Sequence, residues 1–150
     1  MFEFQEPGRL VDGDLELILV NKYPPDPVKK HVPVYKFKMR HVGRDHQIGY
    51  IDLRVGDTDH IKKYAGHIGY RVHAGFRGHR YAARACRLLL PLARRHGLNP
   101  LWITCDPRNV ASRRTCEIAG AEFVEIVDLP ADTDMYRRGE GQKCRYRLDF

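Results

Sequence analysis

Hydrophobic residues recur along the chain in two spacings, and the first of these is typical of β-strands. Several short runs are continuously hydrophobic or alternate hydrophobic with polar residues, as in V-Y-K-F-K-M from Val34 onward. Runs of this kind that are bounded by turn-forming residues predict strands with one buried face. The predicted strands cover residues 15–20, 34–42, 47–55, 67–73, 101–105, 121–127 and 144–150.

The second spacing, i, i+3, i+4, i+7, predicts two amphipathic helices. The first begins at His79 and ends at Gly97, and Pro91 is expected to kink its last turns because proline has no backbone N–H. The second covers residues 110–119, with Asn109 as its N-cap and a glycine directly after it. Helices of this kind cover a sheet with their hydrophobic side.

The order of the elements indicates a mixed α/β fold. Strands come first, strand and helix then alternate twice, and strands close the chain. Residues 22–33, which contain four prolines, and residues 128–142 are predicted to be loops. No repeat or linker divides the sequence, so we expect a single domain over residues 1–150. A composition of 43% hydrophobic and 30% charged residues excludes disordered and collagen-like classes.

Location and redox chemistry follow from what the sequence lacks. No hydrophobic run reaches the length of a membrane span, and residues 1–7 lack the basic-then-hydrophobic pattern of a signal peptide, so we expect a cytoplasmic protein without a membrane partner. The four cysteines form no C-x-x-C pair, which argues against a zinc ribbon or a dithiol redox motif. We therefore expect buried, reduced thiols and no metal site.

Positive charge is concentrated in the middle of the chain. The formal net charge is +7, and residues 61–105 contain no aspartate or glutamate but nine lysines and arginines. A field of this sign attracts phosphate groups. The partner could be a nucleic acid, a membrane surface or a phosphorylated cofactor, and composition alone does not choose among them.

A local pattern at residues 75–83 narrows the choice. A turn containing Gly78 leads directly into the arginine-rich first helix. The first amides of a helix have no internal acceptor and lie at the positive end of the helix dipole, so they form an anion site. Gly78 permits close backbone approach, and Arg77, Arg80 and Arg84 add full charges. The simpler alternative is a helix start with a solvated basic face.

The same segment resembles the central motif of the GNAT superfamily of N-acetyltransferases, which is Arg or Gln, two residues, Gly, one residue, and Gly or Ala. Arg77 and Ala82 match the first and last positions, and Arg80 stands where the family has glycine. The resemblance continues through the strand H-I-G-Y-R-V from His67 and the helix after Asn109, and it spans roughly residues 47–127. Three motifs in the family's order are more specific than any one of them.

The resemblance implies a fold and an activity. The fold is α/β, with a mixed, mostly antiparallel sheet, a V-shaped splay between two central parallel strands (residues 67–73 and 101–105) and helices on both faces. The activity is transfer of an acetyl group from acetyl-CoA, as co-substrate, to a primary amine, which could belong to a small molecule, a protein N-terminus or a lysine. The amine would attack the thioester directly.

The resemblance also implies roles for particular residues. His67 stands where relatives often carry a carboxylate and is the candidate general base, although a strand histidine can equally be a packing residue. Asp52 is a second candidate base, although an exposed strand residue paired with Arg54 or a lysine is the simpler interpretation. Cys116 stands where many relatives have a proton-donating tyrosine, and its thiol suits the core better. The candidate cofactor-binding residues are Tyr70, Arg71, Val72, Arg77, Gly78, His79, Arg80, Tyr81, Ala82, Ala83, Asn109 and Ser112.

Two other functions stay open at this point. One is a basic nucleic-acid-binding module, which the central charge and nearby aromatic residues permit, although no helix-turn-helix, zinc-finger or RNP pattern is present. The other is a CoA-binding regulator without catalysis, which the departures at Arg80 and Cys116 permit. A homodimer is compatible with the sequence, which does not identify the acceptor.

Overall fold

The computed structural model describes residues 1–150. Its strands and α-helices occur in the order β1 (Leu10–Asp12), β2 (Leu15–Tyr23), β3 (Val34–His41), β4 (Gln47–Arg54), β5 (Ile68–Val72), α1 (Tyr81–Leu88), α2 (Leu90–Arg95), β6 (Leu101–Cys105), α3 (Val110–Ile118), β7 (Glu122–Asp128), α4 (Asp134–Arg137) and β8 (Gln142–Leu148). A π-type turn at Ile61–Ala65 precedes β5, and a 3₁₀ turn at Ala74–Phe76 follows it.

The first five strands form one antiparallel sheet in the order β1-β2-β3-β4-β5. The alternation in β3 sends Tyr35, Phe37 and Met39 into the core, where none has any exposed surface. The intervening side chains, among them Lys36, lie on the opposite face, which we call the outer face. Residues 24–33, which link β2 to β3, contain no helix.

The last three strands form a second antiparallel sheet in the order β6-β8-β7. Helices α1 and α3 contact each other, and they connect the two sheets because α1 packs on β5 and α3 packs on β6 and β7. One hydrophobic core runs through both sheets and both helices and includes Ala85, Leu101 and Tyr146, whereas β7 contributes no residue to it. The expected mixed α/β fold is confirmed.

The predicted long helix is two helices. Proline lacks a backbone N–H and its ring crowds the carbonyl four residues earlier, so Pro91 cannot continue an α-helical turn from Arg87. Leu89 instead closes a tighter turn, its N–H bonding to the carbonyl of Cys86 at 3.2 Å. Helix α1 therefore ends at Leu88, and α2 begins at Leu90. The prediction of a kinked but continuous helix was wrong in this respect.

Other boundaries also differ from the sequence prediction. Strand β2 extends to Tyr23, since pairing with Val34 continues until Pro24 interrupts the supply of N–H groups. Strand β1 was not predicted, because three residues are too short for a periodic signal. The predicted loop 128–142 contains the short helix α4, which Thr133 caps through its hydroxyl.

All four cysteines are buried and free, as the spacing predicted. No cluster of three or more histidine, cysteine or acidic side chains is arranged to bind a metal ion. None of the helices has both the length and the hydrophobicity that a membrane crossing requires.

Candidate active site

A cleft of about 970 Å³ lies where β5 and β6 are neighbours without being paired. The two strands belong to different sheets, and the backbone hydrogen bond between them runs from the N–H of His67 to the carbonyl of Trp102, at 2.7 Å. Beyond that point they diverge toward Val72 and Cys105, both of which line the cleft. The predicted splay between these strands is therefore present.

The open edge of β5 presents unpaired backbone groups to this cleft. Arg54 donates its N–H to the carbonyl of His67, and His73 donates its N–H to the carbonyl of Ile48. Successive residues of an antiparallel strand face opposite edges, so residues 67, 69, 71 and 73 bond to β4 and residues 68, 70 and 72 face the cleft. The amides of Tyr70 and Val72 are thus available to a ligand.

Arg71 differs from the expectation of a backbone contact. Its amide faces β4, where the residue pairs with Tyr50, and its exposed side chain lines the cleft. Any contact of Arg71 with a ligand must therefore come from its guanidinium. The carbonyl of Val72 already accepts a hydrogen bond from Arg77 Nε at 3.2 Å.

The turn before α1 leaves a run of amides without acceptors. No N–H of residues 78–83 makes a hydrogen bond, no side chain caps the helix, and the first intrahelical bond runs from Arg84 to Arg80. Gly78 has a φ of +91°, and a Cβ placed on it would meet nothing within 4 Å. We call residues 77–83 the amide loop. It combines unpaired N–H groups, the positive end of a helix and open space, as an anion site requires.

Arg80 adopts the conformation for which the family glycine is suited. Its φ of 61° and ψ of 23° lie in the left-handed region, where a side chain other than glycine costs about 1–2 kcal/mol. Its amide is nevertheless unpaired and its side chain lines the cleft. The departure from the motif thus preserves the backbone path and adds a cation, at the cost of local strain.

The sequence predicted that Arg84 adds a positive charge to the anion site, but its guanidinium is already paired. Its guanidinium is held by Asp12 at 2.8 Å and Asp14 at 2.7 Å. The hydroxyl of Tyr81 bonds to His41 at 2.8 Å and donates to Asp14 at 3.2 Å. These contacts anchor the start of α1 to β1 and β3. Tyr81 therefore offers the cleft its amide, while its hydroxyl supports the helix.

The opposite wall of the cleft is the start of α3. Asn109 Oδ1 accepts the N–H of Ser112 at 3.0 Å, so the predicted cap is present. Ser112 Oγ lies 2.5 Å from the hydroxyl of Tyr70, which ties α3 to β5 across the cleft floor. Burial raises the pKa of Tyr70, so this phenol stays protonated. All three residues line the cleft.

Cys116 has no exposed surface and does not line the cleft. Its hydrogen bond with Cys105 and its burial both raise the pKa of its thiol, so it remains a neutral core group. The side chain that stands in the tyrosine position is thus part of the core, as the sequence suggested, and cannot deliver a proton to the cleft.

His67 is placed differently from the expectation of a general base. Its side chain is fully buried, Nδ1 accepts the N–H of Trp102 at 2.9 Å, and Nε2 donates to the carbonyl of Gly56 at 2.9 Å. Burial lowers the pKa of the ring. The hydrogen bond to Gly56 and the nearby Asp57 carboxylate raise it, but they do not outweigh the effect of burial. With both nitrogens occupied, the imidazole has no lone pair for an amine proton. The geometry therefore corrects this assignment and makes His67 a structural link between β5 and β6.

Arg54 is one of the cleft residues that the predicted site did not include. It ends β4 on the outer face, and its Nη1 donates to the carbonyls of Ala65 at 3.0 Å and Gly66 at 3.1 Å. These bonds direct its guanidinium over Gly69, at the closed end of the cleft. No local pattern around residue 54 signals this position, because it depends on how the π-type turn folds back.

Comparison with known proteins agrees with this geometry. Residues 21–122 match the model of the acetyltransferase (GNAT) domain, which is more than half of the chain. The chain belongs to the GNAT acetyltransferase family. The resemblance predicted from the three motifs is confirmed, and so is the prediction that the protein is an acetyltransferase.

Solved GNAT structures share its fold at low identity. The ribosomal L7/L12 alpha-N-protein acetyltransferase RimL, in complex with coenzyme A, superposes with a TM-score of 0.67 at 12% identity, over 95% of this chain and 98% of RimL. The microcin C7 self-immunity acetyltransferase MccE, in complex with acetyl-CoA and AMP, gives 0.60 at 16% identity, over 78% of this chain and 61% of MccE. The Salmonella typhimurium enzyme that modifies the N-terminal serine of L7/L12 gives 0.58 at 16% identity, over 78% and 64%. No curated protein matches this GNAT chain by sequence.

The first prediction concerns His67 and pH. Because burial lowers its pKa in the folded state, the unfolded chain binds a proton below about pH 6.5 that the folded chain refuses. Stability should therefore be lost as pH falls, by up to about 1.4 kcal/mol per pH unit from this residue. When the free energy of unfolding is measured with urea between about pH 5 and 8, it should depend less steeply on pH in His67→Asn than in the natural protein. The exposed His31→Asn is the control, and an unchanged slope in His67→Asn would contradict the assignment.

The second prediction concerns the strain at Arg80. Arg80→Gly should raise the free energy of unfolding by about 1 kcal/mol, because glycine adopts the left-handed conformation without steric cost. The same variant should bind acetyl-CoA about tenfold more weakly, since a cation is removed beside the amide loop. Chemical denaturation and calorimetric titration measure the two effects. A variant that is less stable than the natural protein would show that Arg80 is not strained.

Proposed function

We propose that the protein transfers the acetyl group of acetyl-CoA to a primary amine by direct attack on the thioester. The single observation that carries this proposal is the meeting of two sets of unpaired amides in one cleft, those of residues 78–83 and those on the open edge of β5. The first set suits the diphosphate of coenzyme A, and the second suits the extended pantetheine arm as if it were an added strand. MccE and RimL, which share the fold, have been crystallised with acetyl-CoA and with coenzyme A.

The chain's own groups supply three parts of the reaction. The amide loop and the side chains of Arg77 and Arg80 bind and orient the donor. A cleft-facing amide of β5, from Tyr70 or Val72, polarises the thioester oxygen, and one such donor contributes about 3 kcal/mol to transition-state stability. The amine nitrogen then forms a bond to the carbonyl carbon, and the carbon–sulfur bond breaks to release the thiolate of coenzyme A. Orientation of the two reactants supplies most of the remaining acceleration.

The amine must lose a proton, and Asp52 is the residue we assign to receive it. Its Oδ1 is buried and has no hydrogen-bond partner. Burial raises the pKa of this carboxyl, although Arg54 and Lys36 oppose the shift, and a raised pKa suits a carboxylate base near neutral pH. Asp52 pairs with Gly69 across β4 and β5, so no side chain on β5 separates it from the open strand.

The thiolate needs no dedicated acid. A thiol has a pKa near 8.5, so water can reprotonate it close to neutral pH. The hydroxyl of Tyr70 already bonds to Ser112, so we assign it no part in proton transfer. Under this proposal the buried cysteine in the usual tyrosine position does not prevent catalysis.

The third prediction tests the donor site. Gly78→Glu should abolish the thermal stabilisation by acetyl-CoA, because it places bulk and negative charge in the amide loop. The natural protein should gain about 2.7 kcal/mol at a hundredfold excess over the dissociation constant. Gly43→Glu is the matched control, since Gly43 also has a positive φ and open surroundings but lies in the β3–β4 turn. Normal stabilisation of Gly78→Glu would refute the site. Salt-sensitive binding to DNA without any response to acetyl-CoA would favour the nucleic-acid reading.

The fourth prediction tests the base. Asp52→Asn should lower kcat about a hundredfold and remove the acidic limb of the pH profile, with acetyl-CoA affinity unchanged because Asp52 belongs neither to the amide loop nor to the open edge of β5. Asp45→Asn, an exposed change on the same hairpin, should leave both unaltered. Full turnover in Asp52→Asn would remove it from the mechanism. Acetyl-CoA binding without turnover in the natural protein would favour a non-catalytic regulator.

A further inference from the structure

The charges that line the cleft outside the amide loop are not balanced. Each acidic residue lining the cleft has a cation beside it: Asp106 bonds to Arg108 at 2.8 Å, Asp134 to Arg137 at 3.0 Å, and Glu140 to Lys143 at 2.8 Å. Arg54, Arg71 and Arg138 also line the cleft, and none has a carboxylate within 4.0 Å. The excess charge away from the amide loop is therefore positive.

Arg54 is held in place by one nitrogen of its guanidinium, and its other N–H groups are free to donate. Its Nη1 is held by the carbonyls of Ala65 and Gly66, while Nη2 and Nε make no hydrogen bond. A Cβ on Gly69 would lie 2.6 Å from Nη2, so only glycine leaves room for this guanidinium beside β5. Asp52, on the same face of β4, is a neighbouring acid, but no carboxylate lies within 4.0 Å of Arg54. A half-buried arginine that is oriented by backbone carbonyls and makes no direct ion pair is arranged to receive a carboxylate from outside the chain.

Two more cations extend the same surface along the outer face. Lys36 lies 4.6 Å from the ring of Tyr50 and has no carboxylate within 4.0 Å, and Arg71 pairs with Tyr50 across β4 and β5. Tyr50 is four residues before Arg54 on β4, so the cations beside Tyr50 are separated from Arg54 by about 13 Å along the strand. A free amino acid cannot span this distance, whereas a short peptide can.

We infer, on the basis of the function proposed above, that the acceptor is the amino terminus of a peptide with acidic residues directly after it, and that Arg54 determines this specificity. The α-amine reaches the thioester beside Asp52 while a following carboxylate binds Arg54. Later acidic residues reach Lys36 and Arg71 across the outer face. Basic peptides are rejected, because they bring like charge to guanidinium groups that have no carboxylate within 4.0 Å.

A peptide panel tests the inference. Three matched peptides begin with serine and continue with three glutamates, three glutamines or three lysines, and coenzyme A release is measured for each. The natural protein should show kcat/KM for the acidic peptide about tenfold above the neutral one, with the basic one lowest. This preference should shrink between about 0.02 and 0.5 M salt, because exposed charges are screened.

Arg54→Gln should remove most of the preference by raising KM for the acidic peptide about tenfold, and Arg54→Lys should keep part of it. Arg44→Gln removes the same charge from the exposed β3–β4 turn and should change nothing. Equal rates for the three peptides in the natural protein, or an acidic preference that survives in Arg54→Gln, would overturn the inference. The salt dependence of the natural protein decides the matter if the variant does not fold.

The outcome separates this inference from the proposed function. Thermal stabilisation by acetyl-CoA together with turnover that ignores peptide charge removes the role of Arg54 and leaves the acetyltransferase intact. Absence of any response to acetyl-CoA removes both. A loss of acetyl-CoA affinity in Arg54→Gln, equal for all acceptors, would place Arg54 in the donor site and so would also overturn the inference.

Discussion

His67 and Trp102 join β5 to β6 at one point through two hydrogen bonds, one from backbone to backbone and one from the Trp102 amide to the imidazole. A further hydrogen bond, from the imidazole to the carbonyl of Gly56, ties the same point to the segment that follows β4. A neutral, buried imidazole suits this position because it accepts on one nitrogen and donates on the other. No other backbone hydrogen bond joins the two strands, so they can diverge while this point and the shared core keep the two sheets together.

The divergence creates the chemical character of the cleft. Buried backbone groups that lack partners destabilise a fold, so proteins rarely leave an edge or a helix start unpaired. Here an unpaired strand edge and an unpaired helix start lie side by side. Both are tolerated because the cleft admits solvent, which can bond to their free amides. The strain at Arg80 and the absence of a capping side chain on α1 belong to the same arrangement, since a capped helix would have fewer amides to offer.

Sequence reasoning reached much of this arrangement from local patterns. The amide loop, the Asn109 cap and the paths of β5 and β6 follow from residues close together in the chain, which is why they could be predicted. The role of His67 could not, because its partners are distant in sequence and the choice between base and structural link depends on burial. The position of Arg54 was missed for the same reason: it is held by the carbonyls of Ala65 and Gly66 and has no carboxylate within 4.0 Å, and only a folded structure shows this.

Both ends of the cleft attract anions, but different groups carry the positive charge at each end. At the amide loop the positive character comes mainly from backbone dipoles, which are fixed and suit the diffuse charge of phosphates. At the closed end it comes from side chains, above all Arg54, whose planar fork matches a carboxylate. Long-range attraction cannot direct the phosphate-bearing donor to one end and the carboxylate-bearing acceptor to the other, since charges more than about 8 Å apart are screened at physiological salt. Discrimination must therefore rest on contact geometry, and the proposals made above assign the donor to the amides of residues 78–83 and the acceptor to the guanidinium over Gly69.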